Sequence, residues 1–363
     1  LLDRMKETKT NDDFFDQMKR KAWDSDPVPI SFKREQYRGS NRDYSFLVER
    51  TKDSISLDEL MTFMHFDDER AKIQLRSGQS VNYFPTQKIF IPIDKQNIIK
   101  NKVVAEKYYD SIVPVINLKI NNEALYKNRL LMLDIINQNN WKRPIYFTGG
   151  SFGEDDYLWM KDYLQLDGMC FKLVPILTPQ KGKPNPLEMG YIDTDKMYDM
   201  VMKWEWGNGE DPKIYHDPET RKNSITFRTN LARLTETLLI EGKKDKAEKV
   251  VELAMTKMPI EFFDYYTLVE PFAHAYYELG KKDKAREVLS KLIKKYQEEL
   301  TFYKGMSASE KYDYRYDIVS SIERYRSLLF YMDEANDTDF YNQEREKFNN
   351  YNKLFPEFGR DME

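Results

Sequence analysis

The chain carries few of the side chains that catalytic and metal sites usually require. Its 363 residues include three histidines, His65, His216 and His274, and none of them belongs to a recognisable metal-binding motif. The single cysteine, Cys170, lies in an apolar segment and is expected to pack as a small core residue. The sequence contains no nucleophile elbow, zinc-protease motif, dithiol pair or EF-hand loop. It therefore predicts no cofactor, no metal and no catalytic residue within this chain.

A glycine loop offers the clearest pattern for an anion site. Gly149, Gly150 and Gly153 lie between a predicted strand and a predicted helix, where exposed backbone amides can attract a phosphate. The loop matches neither the dinucleotide-binding nor the P-loop pattern, and the three acidic residues at 154–156 would repel a phosphate. We interpret it as a structural turn with a helix cap rather than as a ligand loop.

Acidic side chains also cluster at residues 67–69. Glycoside hydrolysis needs two carboxyl groups about 5 to 10 Å apart around the scissile bond. Both acidic clusters are expected in hydrated turns or helix caps, and no spacing in the sequence selects a catalytic pair. An independent hydrolase is therefore a minor alternative.

Aromatic residues supply the candidate binding surface, because a flat ring offers apolar area with a polar edge. The chain has 25 Tyr, 21 Phe and 5 Trp. Core packing is the alternative role for most of them. The candidate binding residues are Trp141, Tyr146, Tyr157 and Trp159 near the glycine loop, and Tyr265, Tyr266, Tyr276 and Tyr277 in the helical region.

The pattern of apolar residues predicts the elements that position these side chains. Around the glycine loop we expect a strand at 145–147, a helix at 155–164 that Gly168 ends, and a strand at 171–176. Right-handed crossovers would make such strands parallel. The other predicted elements are helices at 12–23, 56–66 (capped by Ser56), 130–138 and 194–206, and strands at 89–93 and 113–120.

A short motif occurs twice in the C-terminal part. Residues 241–247 (EGKKDKA) recur as residues 279–285 (LGKKDKA), and the two glycines, Gly242 and Gly280, are 280 − 242 = 38 residues apart. This spacing is close to the tetratricopeptide period of about 34 residues, in which glycine separates the two helices of a hairpin. Pro259 fits the end of the first repeat, and further helices are predicted at 312–331 and 340–354. A generic helical bundle is the alternative.

These patterns predict an α/β domain followed by an all-α domain. The expected division is an N-terminal helical segment at 1–26, a mixed α/β domain at 27–223 and a tetratricopeptide-like α-helical domain at 224–363.

Charge and hydropathy argue against nucleic-acid binding and against a membrane-spanning helix in this chain. The net charge of −4 provides no basic field for nucleic acid. The longest apolar runs, such as residues 112–116, are far shorter than the roughly 18 to 20 residues of a membrane helix. The chain begins at Leu1 and Leu2 without an initiator Met or a secretory signal, so we expect it to be cut from a longer protein.

Several blocks of sequence, spread over about residues 12–300, carry a family resemblance. Together they resemble a bacterial family of polytopic membrane proteins with an uncharacterised domain, whose N-terminal half resembles protein O-mannosyltransferases. The blocks are residues 16–27 (DQMKRKAWDSDP), 81–86 (VNYFPT), 91–95 (IPIDK), 125–128 (LYKN), 133–135 (LDI), 140–147 (NWKRPIYF), 163–168 (YLQLDG), 173–176 (LVPI) and 230–234 (NLARL).

The resemblance implies a location and an architecture. In that family this portion follows the membrane helices and is expected on the periplasmic face of the inner membrane, beside the membrane half of the same protein. The catalytic acid of the related glycosyltransferases lies in the membrane half, so no residue of this chain inherits it. The expected role is recognition of a protein or glycan acceptor, and the alternative is a scaffold that binds a partner protein without any link to sugar transfer.

Overall fold

A computed structural model describes residues 28–29, 53–65, 72–74, 80–82, 84, 86–120, 124–125, 127–148, 157–178, 189–356 and 358. The chain divides into two compact units, Leu1–Tyr191 and Ile192–Glu363. The helix predicted at 12–23, the N-terminal helical segment predicted at 1–26, the glycine loop and the acidic clusters at 67–69 and 154–156 lie outside the described residues. The predicted domain boundaries at 26 and 223 remain predictions.

The first unit consists of short strands and helices. In chain order they are β1 (Val28–Pro29), β2 (Ile55–Ser56), α1 (Leu57–His65), β3 (Lys72–Gln74), β4 (Ser80–Asn82), β5 (Lys88–Pro92), α2 (Lys95–Lys100), a 3-10 helix (Glu106–Ser111), β6 (Val115–Lys119), β7 (Ala124–Leu125), α3 (Lys127–Asn139), β8 (Tyr146–Thr148), a 3-10 helix (Tyr157–Tyr163), β9 (Leu164–Asp167) and β10 (Cys170–Leu173).

One three-stranded sheet has the order β2-β5-β6, and its strands β5 and β6 agree with those predicted at 89–93 and 113–120. Ile89 and Ile91 of β5 are buried and face Leu118 and Ile116 of the antiparallel strand β6. This alternation is typical of a strand with one face on the core. The predicted cap of α1 is confirmed, since the amide of Glu59 donates to the Ser56 hydroxyl at 3.1 Å.

The sheet around the glycine loop differs from the prediction. It has the order β8-β10-β9, and both strand pairs are antiparallel, so the expected parallel arrangement was wrong here. The reason is the short turn between β9 and β10, which contains Gly168 with φ of +64°. Two residues suffice for a hairpin, whereas parallel neighbours require a crossover of a dozen or more.

The helix predicted at 155–164 was also wrong in type and extent. A 3-10 helix covers Tyr157–Tyr163, and Leu164 already begins β9, where it pairs with Leu173. Pairing of buried side chains in the sheet thus overrides the helical spacing of the apolar residues. Cys170 is the first residue of β10 and is half-buried, so it is not the core residue that its apolar neighbours suggested.

The second unit is helical throughout its described residues. Its elements are α4 (Thr194–Val201), α5 (Pro218–Ile240), α6 (Lys244–Lys257), α7 (Ile260–Phe263), a 3-10 helix (Tyr266–Leu268), α8 (Glu270–Glu278), α9 (Lys282–Lys304), α10 (Ala308–Asp313), α11 (Arg315–Glu334) and α12 (Thr338–Asn352). The helix predicted at 194–206 ends early, at Val201.

Three helical hairpins, α5/α6, α8/α9 and α11/α12, share one turn geometry. Gly242, Gly280 and Asn336 occupy equivalent positions with φ of +73°, +72° and +54°. In each turn the next amide donates back to a helix carbonyl at 2.8 Å, from Lys243 to Leu238, from Lys281 to Tyr276 and from Asp337 to Met332. This left-handed cap ends the first helix of each hairpin and starts the second.

The hairpins pack against one another in chain order. Helix α8 contacts α5 and α6, α9 contacts α8 and α11, and α11 contacts α12. Ala247 and Ala285, the last residues of the repeated motif, are fully buried and allow close helix approach. Among the described residues, no helix has both the length and the apolar character needed to cross a bilayer.

Candidate functional site

The β8-β10-β9 sheet has one apolar face and one polar face. Phe147, Phe171 and Leu166 lie opposite one another in register and face the core. The next row is polar and consists of Tyr146, Lys172 and Gln165. Gln165 and Lys172 are nevertheless buried. A buried polar face is unusual, so its hydrogen bonds decide whether it is a site or a scaffold.

The polar face is joined by a chain of hydrogen bonds. The Tyr146 phenol donates to Asp167 at 3.0 Å, and the Gln165 amide donates to the other Asp167 oxygen at 2.5 Å. The Tyr191 phenol donates to the Gln165 carbonyl oxygen at 2.6 Å, and the Lys172 amine donates to the carbonyl of Val103. Buried groups satisfied in this way rigidify a fold.

The same surroundings oppose reactivity at Tyr146 and Cys170. Burial and the negative charge of Asp167 raise the pKa of the Tyr146 phenol, and the same two causes raise the pKa of the Cys170 thiol. A protonated thiol is a poor nucleophile, and a protonated phenol acts only as a hydrogen-bond donor at neutral pH. The network therefore has the chemistry of a structural element.

The other predicted aromatics of the first unit lie on separate elements. Trp141 is buried in the turn after α3, with φ of +60°. Trp159 is half-buried in the 3-10 helix. Tyr157 begins that helix, and its side chain lies outside the described residues. Tyr146 is 43% exposed and is the most accessible predicted residue of this unit whose side chain is described.

The two adjacent tyrosines of α8 form hydrogen bonds to two different helical hairpins. The Tyr276 phenol donates to Glu252 of α6 at 3.0 Å, and the Tyr277 phenol donates to Asp337, at the start of α12, at 3.0 Å. Asp337 is fully buried and also pairs with Arg286 and Lys282 at 2.5 and 2.9 Å. Both phenols therefore join hairpins, and their binding role remains a prediction.

Tyr265 and Tyr266 lie in a strained turn that two arginines hold. Asp264 and Tyr265 both have positive φ, of +40° and +49°. Arg228, which is buried, donates to the carbonyls of Met258 and Asp264 at 2.9 and 2.5 Å, and burial lowers its pKa to about 10. Arg221 pairs with the Asp264 carboxylate at 2.6 Å.

This turn fixes the phenol of Tyr266. The Tyr266 phenol donates to the Asp264 carboxylate at 3.2 Å. Burial raises the pKa of this phenol to about 12, and the charge of Asp264 is the second cause.

Five aromatic residues, four of them exposed, lie between the last turn of α9 and the first turn of α11. We call Phe302, Tyr303, Tyr312, Tyr314 and Tyr316 the aromatic corner. Phe302 is 67% exposed, Tyr312 64% and Tyr316 74%. Single exposed apolar residues are common, but several large rings at one place mark an interaction surface.

Two separate sets of contacts order the rings of the aromatic corner. Tyr303 lies 5.6 Å from Phe302 and 6.0 Å from Tyr314, measured between ring centroids. The Arg315 guanidinium lies 4.7 Å from the Tyr312 ring and 4.4 Å from the Tyr316 ring. Such cation–π contacts order exposed side chains at a modest energy. The corner can thus present fixed ring faces to a ligand.

Sequence reasoning missed the aromatic corner as a site. The segment 312–316 (YDYRY) alternates tyrosine with charged residues, whereas a buried helix face needs apolar residues three and four positions apart. This mismatch was the available signal of exposed rings. The sequence analysis instead placed the whole segment in a helix predicted at 312–331.

Glu270 is a buried carboxylate with incomplete hydrogen bonding. It is 5% exposed, and its Oε1 atom has no hydrogen-bond partner among the described residues. Burial raises its pKa to about 7, while the charge of Arg324 and a hydrogen bond from Tyr331 act in the opposite direction. Such a group is a candidate for function, because structural carboxylates are usually satisfied.

A groove of about 640 Å3 lies along the outward face of α6. Leu253 and Met202 supply apolar contacts, and the charged residues include Glu248 and Glu252. Glu248 pairs with Lys281 at 3.0 Å, and Glu252 pairs with Lys284. These carboxylates already have partners, and the described part of the chain contains no cluster of three or more His, Cys, Asp or Glu residues able to hold a metal ion.

Comparisons with known proteins locate the chain in a family. The family described as TMEM260-associated domain 2 matches residues 8–196, which are 196 − 7 = 189 of the 363 residues. No curated protein and no solved structure matches the chain. The matched segment contains the hydrogen-bonded sheet, whereas Glu270 and the aromatic corner lie beyond it. The chain belongs to the family of TMEM260-associated domain 2.

Proposed function

We propose that this chain is the non-catalytic, extracytoplasmic part of a membrane glycosyltransferase-like protein and recognises the acceptor of the transferred sugar. The acceptor is a protein or a glycan, and the donor is a lipid-linked sugar. The chain would lie on the periplasmic face of a bacterial inner membrane, beside the membrane half of the same protein. This proposal is motivated by the sequence blocks that resemble a bacterial membrane-protein family, whose N-terminal half in turn resembles protein O-mannosyltransferases.

The three helical hairpins support a tetratricopeptide-like arrangement in the second unit. Their turns share the left-handed residue and the 2.8 Å return hydrogen bond, and each hairpin packs on the next. Repeats of this kind expose extended binding surfaces, because each hairpin contacts only its neighbours. Helix α9, with 23 residues, is longer than α6, with 14, so the repeats are unequal.

The aromatic corner is the observation that carries acceptor recognition. Its exposed rings offer apolar faces for a sugar ring or an apolar side chain, and its phenols offer hydrogen bonds at their edges. Aromatic residues and arginine supply much of the energy at binding surfaces. By contrast, where the structure describes a hydroxyl contact of a tyrosine that the sequence predicted as a binding residue, that contact is made within the fold.

Removal of the second unit from the intact protein tests this function. We expect a protein that lacks residues 192–363 to lose transfer to its acceptor while still binding the lipid-linked donor, because the catalytic acid is expected in the membrane half. The two readouts are sugar incorporation into acceptor and binding of radiolabelled donor in the same membranes. Unchanged transfer and unchanged acceptor choice would rule the proposal out.

A partner-binding scaffold is the second candidate, and the groove on α6 favours it. Its volume of about 640 Å3, its apolar side chains and its charged rim suit an extended peptide. Affinity capture separates the two functions. A specific protein partner whose binding survives enzymatic removal of glycans and loss of the transferase half would favour the scaffold.

A further inference from the structure

Arg315 is the charged residue that contacts two rings of the aromatic corner. Its guanidinium lies 4.7 Å from the centre of the Tyr312 ring and 4.4 Å from the centre of the Tyr316 ring. Its Nη1 atom donates to the backbone carbonyl of Tyr312 at 3.2 Å, and no carboxylate of the described residues forms an ion pair with it. A carbonyl is a neutral acceptor, so the positive charge and most of the five N–H donors remain available to another molecule.

Two other arginines of the second unit show the alternative use of a guanidinium. Arg221 of α5 lies 2.6 Å from Asp264, and Arg286 of α9 lies 2.5 Å from Asp337. Each of these ion pairs joins a helix to a distant turn of the chain. Arg315 instead contacts rings one and three positions away in the sequence, so its contacts orient the side chain without neutralising it.

An arginine that lies beside exposed ring faces suits an anion carried on an apolar ring. The guanidinium binds a carboxylate through two parallel hydrogen bonds. The rings of Tyr312 and Tyr316 are 64% and 74% exposed, so each can cover an apolar face of a ligand. A uronic acid has both parts, because its carboxylate is bonded directly to a sugar ring with an apolar C–H face. An acidic amino-acid side chain has the carboxylate but no ring.

The neighbouring charges limit the site to direct contact. Lys311, Asp313 and Asp317 are the charged residues nearest to Arg315 in the sequence. Burial, and then the charge of Asp317, raise the pKa of the Tyr303 phenol, so this carboxylate acts on the Tyr303 side of the corner. The two cations and two carboxylates sum to zero, and they provide no long-range attraction for an anion. Binding must therefore come from the guanidinium and the rings themselves.

We propose that the aromatic corner binds an acidic sugar, with the sugar carboxylate on Arg315 and the sugar ring on Tyr312 or Tyr316. The inference rests on the proposed function, because it names the chemical class of the acceptor: a glycan that contains uronic acid residues. A neutral glycan lacks the carboxylate and an acidic peptide lacks the ring, so each should bind more weakly than the acidic sugar.

Calorimetric titration of the whole chain with three defined probes tests this class. The probes are tetragalacturonic acid, its methyl ester, which has the same rings without the charge, and a tetraglutamate peptide. We expect the acid to bind about tenfold more tightly than either of the other two, because only the acid engages both the guanidinium and a ring. Its affinity should fall as salt is added, whereas that of the ester should not.

Two arginine variants assign the binding to the corner. Arg315→Gln should weaken binding of the acid about tenfold and leave binding of the ester unchanged, because the amide keeps hydrogen-bonding groups but has no charge. Arg345→Gln is the matched control, since Arg345 is an exposed arginine that lies 5.8 Å from the Tyr341 ring, outside the corner. It should bind the acid as the wild type does. Circular dichroism during urea denaturation verifies that both variants are folded.

Four results would each overturn the acidic class: no binding of the acid at millimolar concentration, equal affinity for the acid and the ester, equal affinity for the acid and the peptide, or equal losses in the two arginine variants. These failures are distinct from failure of the proposed function. If the ester binds as tightly as the acid and Tyr312→Ala weakens both, the corner still recognises a glycan, but not through its charge. If removal of residues 192–363 leaves transfer unchanged, acceptor recognition fails whatever sugar the corner binds.

Discussion

The tyrosines of the sheet network and those of the aromatic corner are held by different kinds of contact. On the sheet, the phenols of Tyr146 and Tyr191 join a chain of bonds through Asp167 and Gln165. At the corner, the rings of Tyr312 and Tyr316 are held by Arg315 and remain largely exposed.

The difference lies in where the hydrogen-bond acceptors are. A tyrosine whose hydroxyl reaches a carboxylate of the same chain gives that hydroxyl to the fold, as Tyr146, Tyr276 and Tyr277 do. A tyrosine in a short exposed connection keeps its hydroxyl and much of its ring surface for another molecule. Structural tyrosines should therefore matter for stability and the corner tyrosines for binding, and three variants test this division.

Loss of Asp337 should have the largest effect on stability. Asp337→Ala leaves Arg286, Lys282 and the Tyr277 phenol without their shared, buried acceptor, so we expect a loss of about 3 kcal/mol in the free energy of unfolding. Urea denaturation at neutral pH measures it. A loss below about 1 kcal/mol would mean that this carboxylate does not hold the hairpins together.

The same substitution should change the dependence of stability on pH. Hydrogen bonding from Arg286 lowers the pKa of the Asp337 carboxyl, so its contribution is complete above its unfolded pKa and is lost as the pH falls toward the native value. The free energy of unfolding of the wild-type chain should therefore fall as the pH drops below the unfolded pKa of this carboxyl. The free energy of unfolding of Asp337→Ala should fall less over the same pH range.

A smaller effect is expected at the sheet. Tyr146→Phe removes one donor from Asp167, which keeps the Gln165 amide, and should lower the free energy of unfolding by about 1 kcal/mol. Tyr215→Phe, at a tyrosine that is 80% exposed, is the matched control and should be neutral. Equal effects in the two variants would remove the distinction between bonded and exposed tyrosines.

The aromatic corner should contribute least to stability. Tyr312→Ala combined with Tyr316→Ala removes two exposed rings and should change the free energy of unfolding by no more than about 0.5 kcal/mol for each ring. Circular dichroism during urea denaturation is sufficient to see this. A larger loss would indicate that these rings pack as a local core.

Much of the local structure could be predicted from the sequence. The glycine turns at Gly242 and Gly280, the strand around Ile89 and the cap at Ser56 all follow from short-range rules. The direction of the strands around Gly168 depends on a two-residue turn. This turn was not predicted, because the apolar residues before it recur at helical spacing. The third hairpin was predicted as helices, but its turn was not recognised because Asn336 replaces the expected glycine.

The candidate sites were harder to predict, because exposure and hydrogen bonding arise only in the folded chain. Tyr276 and Tyr277 are neighbours in sequence, yet their hydroxyls reach residues 24 and 60 positions away. Glu270 shows no sequence feature that distinguishes it from other acidic residues at a helix start.

The concentration dependence of acceptor use by the intact protein tests the central claim most directly. We predict that Tyr312→Ala combined with Tyr316→Ala raises the acceptor KM about tenfold, equivalent to about 1.4 kcal/mol of binding energy, while kcat stays within about twofold. Tyr215→Ala, with the same loss of an exposed ring, should leave both constants unchanged. An unchanged acceptor KM in the double variant would contradict acceptor recognition by the aromatic corner.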